Sequence, residues 1–411
     1  MPKPKINLYA EALTHIRQLT LHASLQTDKN EHTKILLSSD KKIITALHDG
    51  ESSSIYLPTQ ISGTANVTFP LQKTTEISTR LQIDDVDLLK SSTDNPGGVE
   101  VPWSAGDLTE TTANRCKNCD ADILVAGKVI TWKDLPSDHW AELVDFWFCH
   151  KPHEGHVPHD QSKGFSAMSN VIASPGVGLV DTVSFLLHRD DCVGLREIKH
   201  PSRKETTILQ CATCKATLGS CQEGETGYRL YKSRLIIIPE PGQSPEKFST
   251  AIFLSAQLLS LIESSVSRKV VVHDGTGTKS ETQRQGLLLW IFNPDIYYSS
   301  SKRGPTAHRA MKVFYKALSD PGNFLDANSD TYEELLVPEE DFVEFRQTLQ
   351  ESTDILPQAA RTFQDWAVGL LDRWERNSTG TARMDENPLN KRVDSGFELF
   401  KLPAGMQELY L

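Results

Sequence analysis

The stretches Cys116-Lys-Asn-Cys119 and Cys211-Ala-Thr-Cys214 constrain the fold of this sequence more strongly than any other part of it. Two intervening residues let one turn present both sulfurs of a pair to a single ion. Four thiolates together make the tetrahedral site that zinc prefers in structural roles. Because about 90 residues separate the pairs, a shared ion would clasp distant strands. We therefore predict one structural zinc held by Cys116, Cys119, Cys211 and Cys214.

Other interpretations of these cysteines stay open at this point. The pairs could be two independent redox-active dithiols, or ordinary small buried residues. Redox chemistry is disfavoured because neither pair lies at a clear strand-to-helix junction. A zinc hydrolase is disfavoured because a four-thiolate site leaves no position for an activated water. The chain has seven cysteines in 411 residues, a density far below that of a disulfide-stabilised scaffold.

Charge and hydropathy exclude further classes of protein. The chain carries 54 acidic and 43 basic residues, for a formal net charge of −11, and binding of duplex nucleic acid requires clustered cations. No apolar run approaches the ~20 residues that a membrane helix needs, and the amino-terminal stretch lacks the apolar core of a signal peptide. We expect a soluble intracellular protein that binds neither nucleic acid nor membrane directly.

The pattern of short strands and turns predicts three segments. Residues 1–108 are expected to form a β-rich domain that ends in a linker, because short apolar runs alternate there with turn residues. Residues 109–240 form the zinc-clasped region, with an aromatic helix over residues 138–150 and strands at 182–187 and 234–238. In that helix, apolar residues recur at the spacing of one helical face.

Residues 241–411 are predicted to mix helices and strands. Helices are expected over residues 249–262 and 305–318, and strands over 269–272 and 287–292. A further amphipathic helix would carry an apolar stripe formed by Phe363, Trp366, Ala367, Leu370, Leu371 and Trp374. The predicted fold class is α+β, with a β-rich amino-terminal half clasped by the four-cysteine zinc site and a mixed α/β carboxy-terminal half.

The aromatic helix leads into a histidine-rich stretch, His150 to His159, with a histidine at every third position. Such a cluster could bind a transition metal. The intervening Pro152, Gly155 and Pro158 disfavour a regular helix that would present the rings together, which favours an exposed polar loop. Cys149 directly precedes this stretch and is either accessible or an ordinary buried cysteine.

Residues 135–150, LPSDHWAELVDFWFCH, resemble the hallmark segment of the HECT-like family of proteins that bind ubiquitin-conjugating (E2) enzymes. Further matches span much of the chain, and their order strengthens the resemblance. These matches are residues 116–119 (CKNC), 183–187 (VSFLL), 191–192 (DC), 211–219 (CATCKATLG), 231–233 (YKS) and 355–370 (ILPQAARTFQDWAVGL).

The resemblance implies binding to ubiquitin-charged E2 enzymes and promotion of ubiquitin transfer. It also implies partnership with the metal-dependent endonuclease that cleaves messenger-RNA precursors before polyadenylation, and a location in nucleus and cytoplasm. Residues 135–150 resemble a motif that enters the endonuclease active site, which makes Trp140, Trp147, Cys149 and His150 partner-binding residues. The alternative role is a non-catalytic inhibitor or assembly chaperone of that endonuclease.

One departure from true HECT ligases bears on the mechanism. Those enzymes carry ubiquitin on a cysteine near the carboxy terminus, whereas the last cysteine here is Cys221. A ligase activity would therefore use Cys149, Cys192 or Cys221, or would position the charged E2 without a covalent step. We favour positioning, because holding reactants in attack geometry accelerates transfer. Whether the chain is itself an enzyme stays open at this point.

Overall fold

The computed structural model describes residues 6–13, 16–61, 74–83, 99–135, 172–199, 206–222, 227–265, 267–274, 285–304, 306–328, 330–376 and 406–409. The chain forms two compact units. The first comprises residues 1–100, 267–275 and 281–411, and the second comprises residues 101–266 and 276–280. The predicted segments 1–108, 109–240 and 241–411 follow the chain in order, whereas the first unit takes up residues from both ends of it.

The described residues contain 23 strands and three α-helices. The first group of strands is β1 (Ile6–Leu13), β2 (Gln18–Leu25), β3 (Lys34–Ser38), β4 (Ile43–His48), β5 (Glu51–Tyr56) and β6 (Glu76–Gln82). The middle group is β7 (Ala113–Cys116), β8 (Asp122–Leu124), β9 (Thr131–Asp134), β10 (Val177–Val180), β11 (Ser184–His188), β12 (Leu195–Lys199), β13 (Thr206–Cys211), β14 (Thr217–Gln222), β15 (Gly227–Tyr231) and β16 (Leu235–Ile238). The remaining elements are α1 (Thr250–Ser264), β17 (Lys269–His273), β18 (Gly286–Ser300), β19 (His308–Leu318), α2 (Pro321–Asn328), β20 (Glu333–Leu336), α3 (Glu339–Ile355), β21 (Thr362–Phe363), β22 (Trp366–Asp372) and β23 (Met406–Leu409).

The first unit contains two sheets. A nine-stranded sheet runs in the order β21-β22-β19-β18-β1-β2-β6, and β17 adds to β18 and carries β20. All its pairings are antiparallel except the parallel pair β17–β20. A four-stranded sheet runs β23-β3-β4-β5. Buried aliphatic side chains of β1 and β2, such as Leu8 and Leu21, form one core with Ile35, Ile44 and Ile55 of the four-stranded sheet.

The second unit also contains two sheets. Seven strands run in the order β12-β13-β14-β15-β11-β10-β9, and a smaller sheet runs β16-β7-β8. One apolar core joins them, and it includes Phe185 of β11, Leu209 of β13, Leu235 of β16 and Phe253 of α1. Each of these side chains is almost completely buried. This core places the strand ends that carry the two cysteine pairs against each other.

Much of the predicted secondary structure is confirmed. The amino-terminal region is β-rich, with β1 to β6, and the helix expected over residues 249–262 is α1. Strands expected at 182–187, 234–238, 269–272 and 287–292 correspond to β11, β16, β17 and the first part of β18.

No helix in the described part of the chain is long and apolar enough to cross a membrane.

Two predicted helices are wrong. Residues 305–318 contain strand β19. The predicted stripe lies in strands β21 and β22 from Phe363 to Leu371, and its last member, Trp374, lies beyond the end of β22. Strand β19 has buried residues on both of its faces, as does β22 over residues 368–371. A strand buried on both sides shows a continuous apolar run, which also fits the spacing of a helix. The carboxy-terminal half is therefore richer in strands than the predicted α/β mixture.

Helices α2 and α3 were not predicted. The signal for α3 is present in the sequence, because three acidic residues fill its first turn and favour the positive end of the helix dipole. Phe342, Phe345 and Leu349 then recur at helical spacing and are buried. The predicted aromatic helix over residues 138–150 lies outside the described residues.

Candidate metal centre

The first cysteine pair lies in a tight turn that follows β7, which we call knuckle 1 (residues 116–121). The Cys116 N–H donates to the carbonyl of Ala121 at 2.8 Å, and the Asp120 N–H donates to the carbonyl of Cys116 at 2.8 Å. Asp120 has a φ of 62°, in the left-handed region that non-glycine residues rarely adopt. This turn returns the chain into β8 and brings Cys119 beside Cys116.

The second pair lies in an equivalent turn that follows β13, which we call knuckle 2 (residues 211–216). The Cys211 N–H donates to the carbonyl of Ala216 at 2.9 Å, and the Lys215 N–H donates to the carbonyl of Cys211 at 3.0 Å. Lys215 has a φ of 65°, at the position that corresponds to Asp120 in knuckle 1. The two turns are thus built by the same hydrogen bonds at the same sequence offsets.

The two knuckles bring all four thiols together. Cys116 Sγ lies 3.7 Å from Cys214 Sγ, and Cys119 Sγ lies 3.6 Å from Cys211 Sγ. All four sulfurs lie within 4.8 Å of one another. A tetrahedral zinc with bonds of about 2.3 Å requires sulfurs about 3.8 Å apart, whereas a disulfide bond is about 2.05 Å long. The cluster is therefore compatible with zinc, and two independent dithiols do not describe it.

The protonation of the thiols is uneven. Cys116 and Cys211 are buried, and Cys119 and Cys214 are half-buried. Burial raises the pKa of the Cys116 thiol to about 12. A hydrogen bond from the Asn118 side chain lowers the pKa of Cys214 to about 6. A metal ion binds thiolates, so it would have to displace the proton of Cys116, and its affinity would fall with falling pH.

A short segment, residues 192–194, which we call the connecting segment, links the two knuckles by backbone hydrogen bonds. The Val193 N–H donates to the carbonyl of Ile123 in β8 at 2.8 Å, and the carbonyl of Gly194 accepts from the Ala212 N–H at 2.8 Å. Gly194 has a φ of 63°, and a Cβ atom there would lie 2.6 Å from the carbonyl oxygen of Asp122. Only glycine fits this close approach, which fixes the spacing of the two turns.

Lys117 anchors knuckle 1 to the rest of the second unit. Its ammonium group donates to the carbonyls of Ser233 at 3.1 Å and Phe248 at 2.9 Å. Its backbone N–H donates to the carbonyl of Arg234 at 3.0 Å. The carbonyls of Ser233 and Arg234 lie in the turn before β16, and that of Phe248 lies just before α1. Three hydrogen bonds from Lys117 therefore hold knuckle 1 against these two parts of the second unit.

A second lysine of this unit, Lys232, is completely buried. Its ammonium group donates to the carbonyl of Pro102 at 3.3 Å and lies 5.2 Å from the centre of the Phe185 ring. Burial lowers the pKa of Lys232 to about 7, against the opposing influence of Asp181, Asp134 and Asp107. The group lies inside the core and has no access for a substrate.

Cys192 and Cys221, the two described cysteines outside the cluster, are poor carriers of a thioester. Cys221 is 5% exposed, and burial, assisted by the Asp191 charge, raises the pKa of Cys192 to about 12. Thioester exchange needs an accessible thiolate. The predicted partner-binding residues, which are Trp140, Trp147, Cys149 and His150, lie outside the described residues.

The likeness of the two turns could have been predicted from a sequence feature beyond the cysteine spacing. Both turns have the sequence Cys-x-x-Cys-x-Ala, which is CKNCDA from residue 116 and CATCKA from residue 211. The shared alanine supplies the carbonyl that closes each turn. The connecting segment has no comparable signal, because its role depends on contacts between strands that are remote in sequence.

Comparisons with known proteins identify sequence relatives of this chain. A family model described as HECT-like ubiquitin-conjugating enzyme (E2)-binding matches residues 11–368. An uncharacterized protein of Schizosaccharomyces pombe is 24% identical in an alignment of 331 residues that covers 76% of this chain and 91% of the relative. An uncharacterized protein of Saccharomyces cerevisiae is 26% identical over 62% of this chain and 67% of its own length. A Mus musculus protein named as an E3 ubiquitin-protein ligase is 24% identical over 49% of each chain.

Proposed function

Because the chain belongs to the HECT-like ubiquitin-conjugating enzyme (E2)-binding family, we propose that it binds ubiquitin-charged E2 enzymes and promotes transfer of ubiquitin to an acceptor amine. The observation that carries this proposal is the family match over residues 11–368. The name of the mouse relative, which calls it an E3 ubiquitin-protein ligase, supports the same role.

The proposed mechanism is positioning without a covalent intermediate on this chain. An acceptor amine attacks the carbonyl carbon of the E2-bound thioester, an amide bond forms, and the E2 thiol leaves. Four of the chain's seven cysteines lie in the metal cluster, and Cys192 and Cys221 are unsuited to accept ubiquitin. The seventh, Cys149, lies outside the described residues, and the experiment below tests it by substitution. Holding the reactants in attack geometry is by itself a source of rate acceleration.

We infer a structural zinc ion for the cysteine cluster. Cys116 and Cys119 would bind it from the smaller sheet of the second unit, and Cys211 and Cys214 from the seven-stranded sheet. Bound there, zinc contributes folding free energy, and its four sulfur ligands leave no position for water. The ion therefore supports the scaffold and takes no part in transfer.

The test measures discharge of ubiquitin from a panel of charged E2 enzymes to free lysine, with and without the purified chain. We expect the wild type to accelerate discharge from at least one E2. The variants Cys149→Ser and Cys192→Ser should match it, because neither thiol carries ubiquitin. If the wild type accelerates discharge from no E2, the proposed function fails. A reducible ubiquitin adduct on Cys149 or Cys192 would refute the positioning mechanism alone.

We also propose a second partner, the metal-dependent endonuclease of messenger-RNA cleavage and polyadenylation, with a location in nucleus and cytoplasm. The support is the likeness of residues 135–150 to a segment that enters that active site. Trp140, Trp147 and His150 would shape the contact, and Cys149 would present its sulfur to the partner's metal. A Cys149→Ala variant that binds and inhibits the endonuclease as well as the wild type would refute this role.

A further inference from the structure

The first unit contains a cavity of about 180 Å³ between the nine-stranded sheet and the carboxy-terminal end of α3, which we call the α3 pocket. Asn7 of β1, Ser24 of β2 and Glu76 of β6 line it on the side of the sheet. Ile355 and Pro357 line it where α3 ends. Because a cavity of about 150 Å³ is large enough for a benzene ring, the α3 pocket has room for one side chain of a partner.

The sheet residues of the pocket form one row across three strands. Asn7 is paired with Ser24, and Ser24 is paired with Glu76, so the three side chains lie on the same face of the sheet. The Ser24 hydroxyl donates to Glu76 Oε2 at 2.8 Å. Asn7 Oδ1 is buried and accepts a hydrogen bond from no group of the described chain. Since an unpaired buried acceptor costs free energy, this row lacks a hydrogen-bond donor.

Two cations also line the pocket, and both are bound to the end of α3. The Lys302 ammonium donates to the carbonyl of Asp354. Arg361 donates to the carbonyls of Asp354 and Leu356, each at 3.1 Å, and pairs with the Asp354 carboxylate at 3.1 Å. The carboxy terminus of a helix carries about half a negative charge, and the last turn of α3 has no basic residue of its own. The two cations are therefore matched by the Asp354 carboxylate and by the helix end.

Glu76 has no such match. It is half-buried, and among the described residues its carboxylate accepts from the uncharged Ser24 hydroxyl and pairs with no cation. The Glu76 carboxylate and Asn7 Oδ1 are both acceptors, so the row is complementary to a group that donates hydrogen bonds and carries positive charge. A primary ammonium group has three donors and no acceptor, and a charge-assisted hydrogen bond to a carboxylate is a strong one.

The apolar side of the pocket indicates which ammonium compound fits. Ile355 and Pro357 offer aliphatic surface across from the acceptors. A lysine side chain places its methylene stem along apolar surface while its charged head reaches polar groups. Its shape and chemistry therefore match both sides of the α3 pocket.

We propose that the α3 pocket binds the side chain of a lysine supplied by another protein. The Glu76 carboxylate and Asn7 Oδ1 accept hydrogen bonds from the ammonium group, and the stem lies against Ile355 and Pro357. This inference rests on the proposed function and deepens it, because it gives a chain that promotes ubiquitin transfer to an amine a site that recognises lysine.

The experiment titrates the full chain with Nα-acetyl-lysine methylamide and measures the affinity by saturation-transfer NMR. The matched probe is Nα-acetyl-norleucine methylamide, which has the same stem without the ammonium group. We expect the wild type to bind the lysine probe at least about tenfold more tightly than the norleucine probe, as the loss of a hydrogen bond between charged groups predicts.

The variants Glu76→Gln and Asn7→Leu should each remove most of this preference while their thermal unfolding stays unchanged. Both substitutions keep the approximate volume of the side chain and remove the charge or the acceptor. Glu51→Gln is the matched control, because Glu51 is an exposed glutamate on β5 of the four-stranded sheet. It should keep the full preference for the lysine probe.

A second measurement identifies the source of the bound lysine. Discharge of ubiquitin from a charged E2 is followed over a series of free lysine concentrations. A higher KM for lysine in Glu76→Gln, with kcat unchanged, identifies the acceptor lysine itself. An unchanged KM, with loss of probe binding, identifies a lysine by which a partner docks. Both results support the α3 pocket as a lysine site.

The remaining outcomes overturn the proposal. These are equal affinity of the wild type for the two probes, wild-type preference in both pocket variants, and loss of preference in Glu51→Gln as well. None of them concerns discharge, so the proposed function would stand. A wild type that prefers the lysine probe but accelerates discharge from no E2 would refute the proposed function and leave the lysine site in place.

Discussion

At the scale of single residues, Lys232 shows how far burial can lower the pKa of an ammonium group. Its folded-state pKa of about 7 lies below the usual lysine value of about 10.4. Between these two values the unfolded chain binds more protons than the folded one. The free energy of unfolding therefore increases as the pH rises from 7 toward 10. At pH 7 and below, the cost of burying the charge is at or near its maximum.

We expect the substitution Lys232→Met to stabilise the second unit at pH 7 by on the order of 1–3 kcal/mol, because it removes a buried charge and keeps the volume. The gain should shrink as the pH rises toward 10. Denaturant unfolding at pH 7 and pH 9.5 measures both effects, with the exposed Lys133→Met as the matched control. A less stable variant at pH 7 would mean that the hydrogen bond to Pro102 outweighs the burial cost.

The predictions for single residues succeeded where chemistry depends on residue type and short spacing. The Cys-x-x-Cys spacing of the two pairs predicts that the four cysteines bind one metal ion, and the structure brings their sulfurs together. The burial of Lys232 and the cavity beside Glu76 depend on remote segments that pack around them. Lysine is almost never fully buried, so residue type alone would not predict such a site.

At the scale of elements, the connecting segment between the knuckles requires a glycine at position 194. The substitution Gly194→Ala would strain the left-handed φ of 63° and place a methyl group 2.6 Å from the Asp122 carbonyl oxygen. We expect a loss of stability of about 2–4 kcal/mol, measured by thermal unfolding in the presence of added zinc.

Gly127 provides the matched control for this prediction. Its φ is 82°, and no atom lies within 4 Å of a Cβ built there. The substitution Gly127→Ala therefore introduces backbone strain without the steric clash, and should cost about 1 kcal/mol. Equal losses in the two variants would contradict the proposed role of the close approach.

The elements themselves were predictable where an apolar run is too short for a helix or where a helix has clear limits, as α1 does. Strands β11 and β17 were predicted correctly although consecutive residues are buried in each, because each spans only five residues. The longer apolar patterns of β19 and of β21 with β22 were mistaken for helices. Strand β19 and residues 368–371 of β22 have consecutive buried side chains, so both faces of the sheet are covered there. Their apolar residues therefore show no alternation, and the periodicity that separates strand from helix is lost.

At the scale of the whole molecule, the two compact units should differ in their dependence on a metal ion, because all four cysteines of the cluster belong to the second. Removal of zinc by a chelator is expected to lower the Tm of the second unit by roughly 10 °C. A ligand at about 1,000 times its Kd stabilises by about 4 kcal/mol, and each kcal/mol shifts Tm by about 2–4 °C.

Calorimetry combined with hydrogen exchange assigns the shifted transition. Protection should be lost in the two sheets of the second unit and retained in the nine-stranded sheet. A Cys116→Ser variant should already unfold at the lower temperature and be insensitive to the chelator. Equal shifts of both transitions, or no shift in either, would refute a structural zinc that supports the second unit alone.

The pairing of β1 with β18 has a consequence for biosynthesis. Tyr9 lies opposite Ser300, so the two partners are about 290 residues apart along the polypeptide. A ribosome adding about 5–20 residues per second needs roughly 15–60 seconds to cover that interval. Throughout it, the nascent β1 has β2 on one side and a bare hydrogen-bonding edge on the other, a known template for aggregation. We therefore expect the emerging chain to be prone to aggregation until β18 leaves the exit tunnel, unless a molecular chaperone covers the open edge of β1.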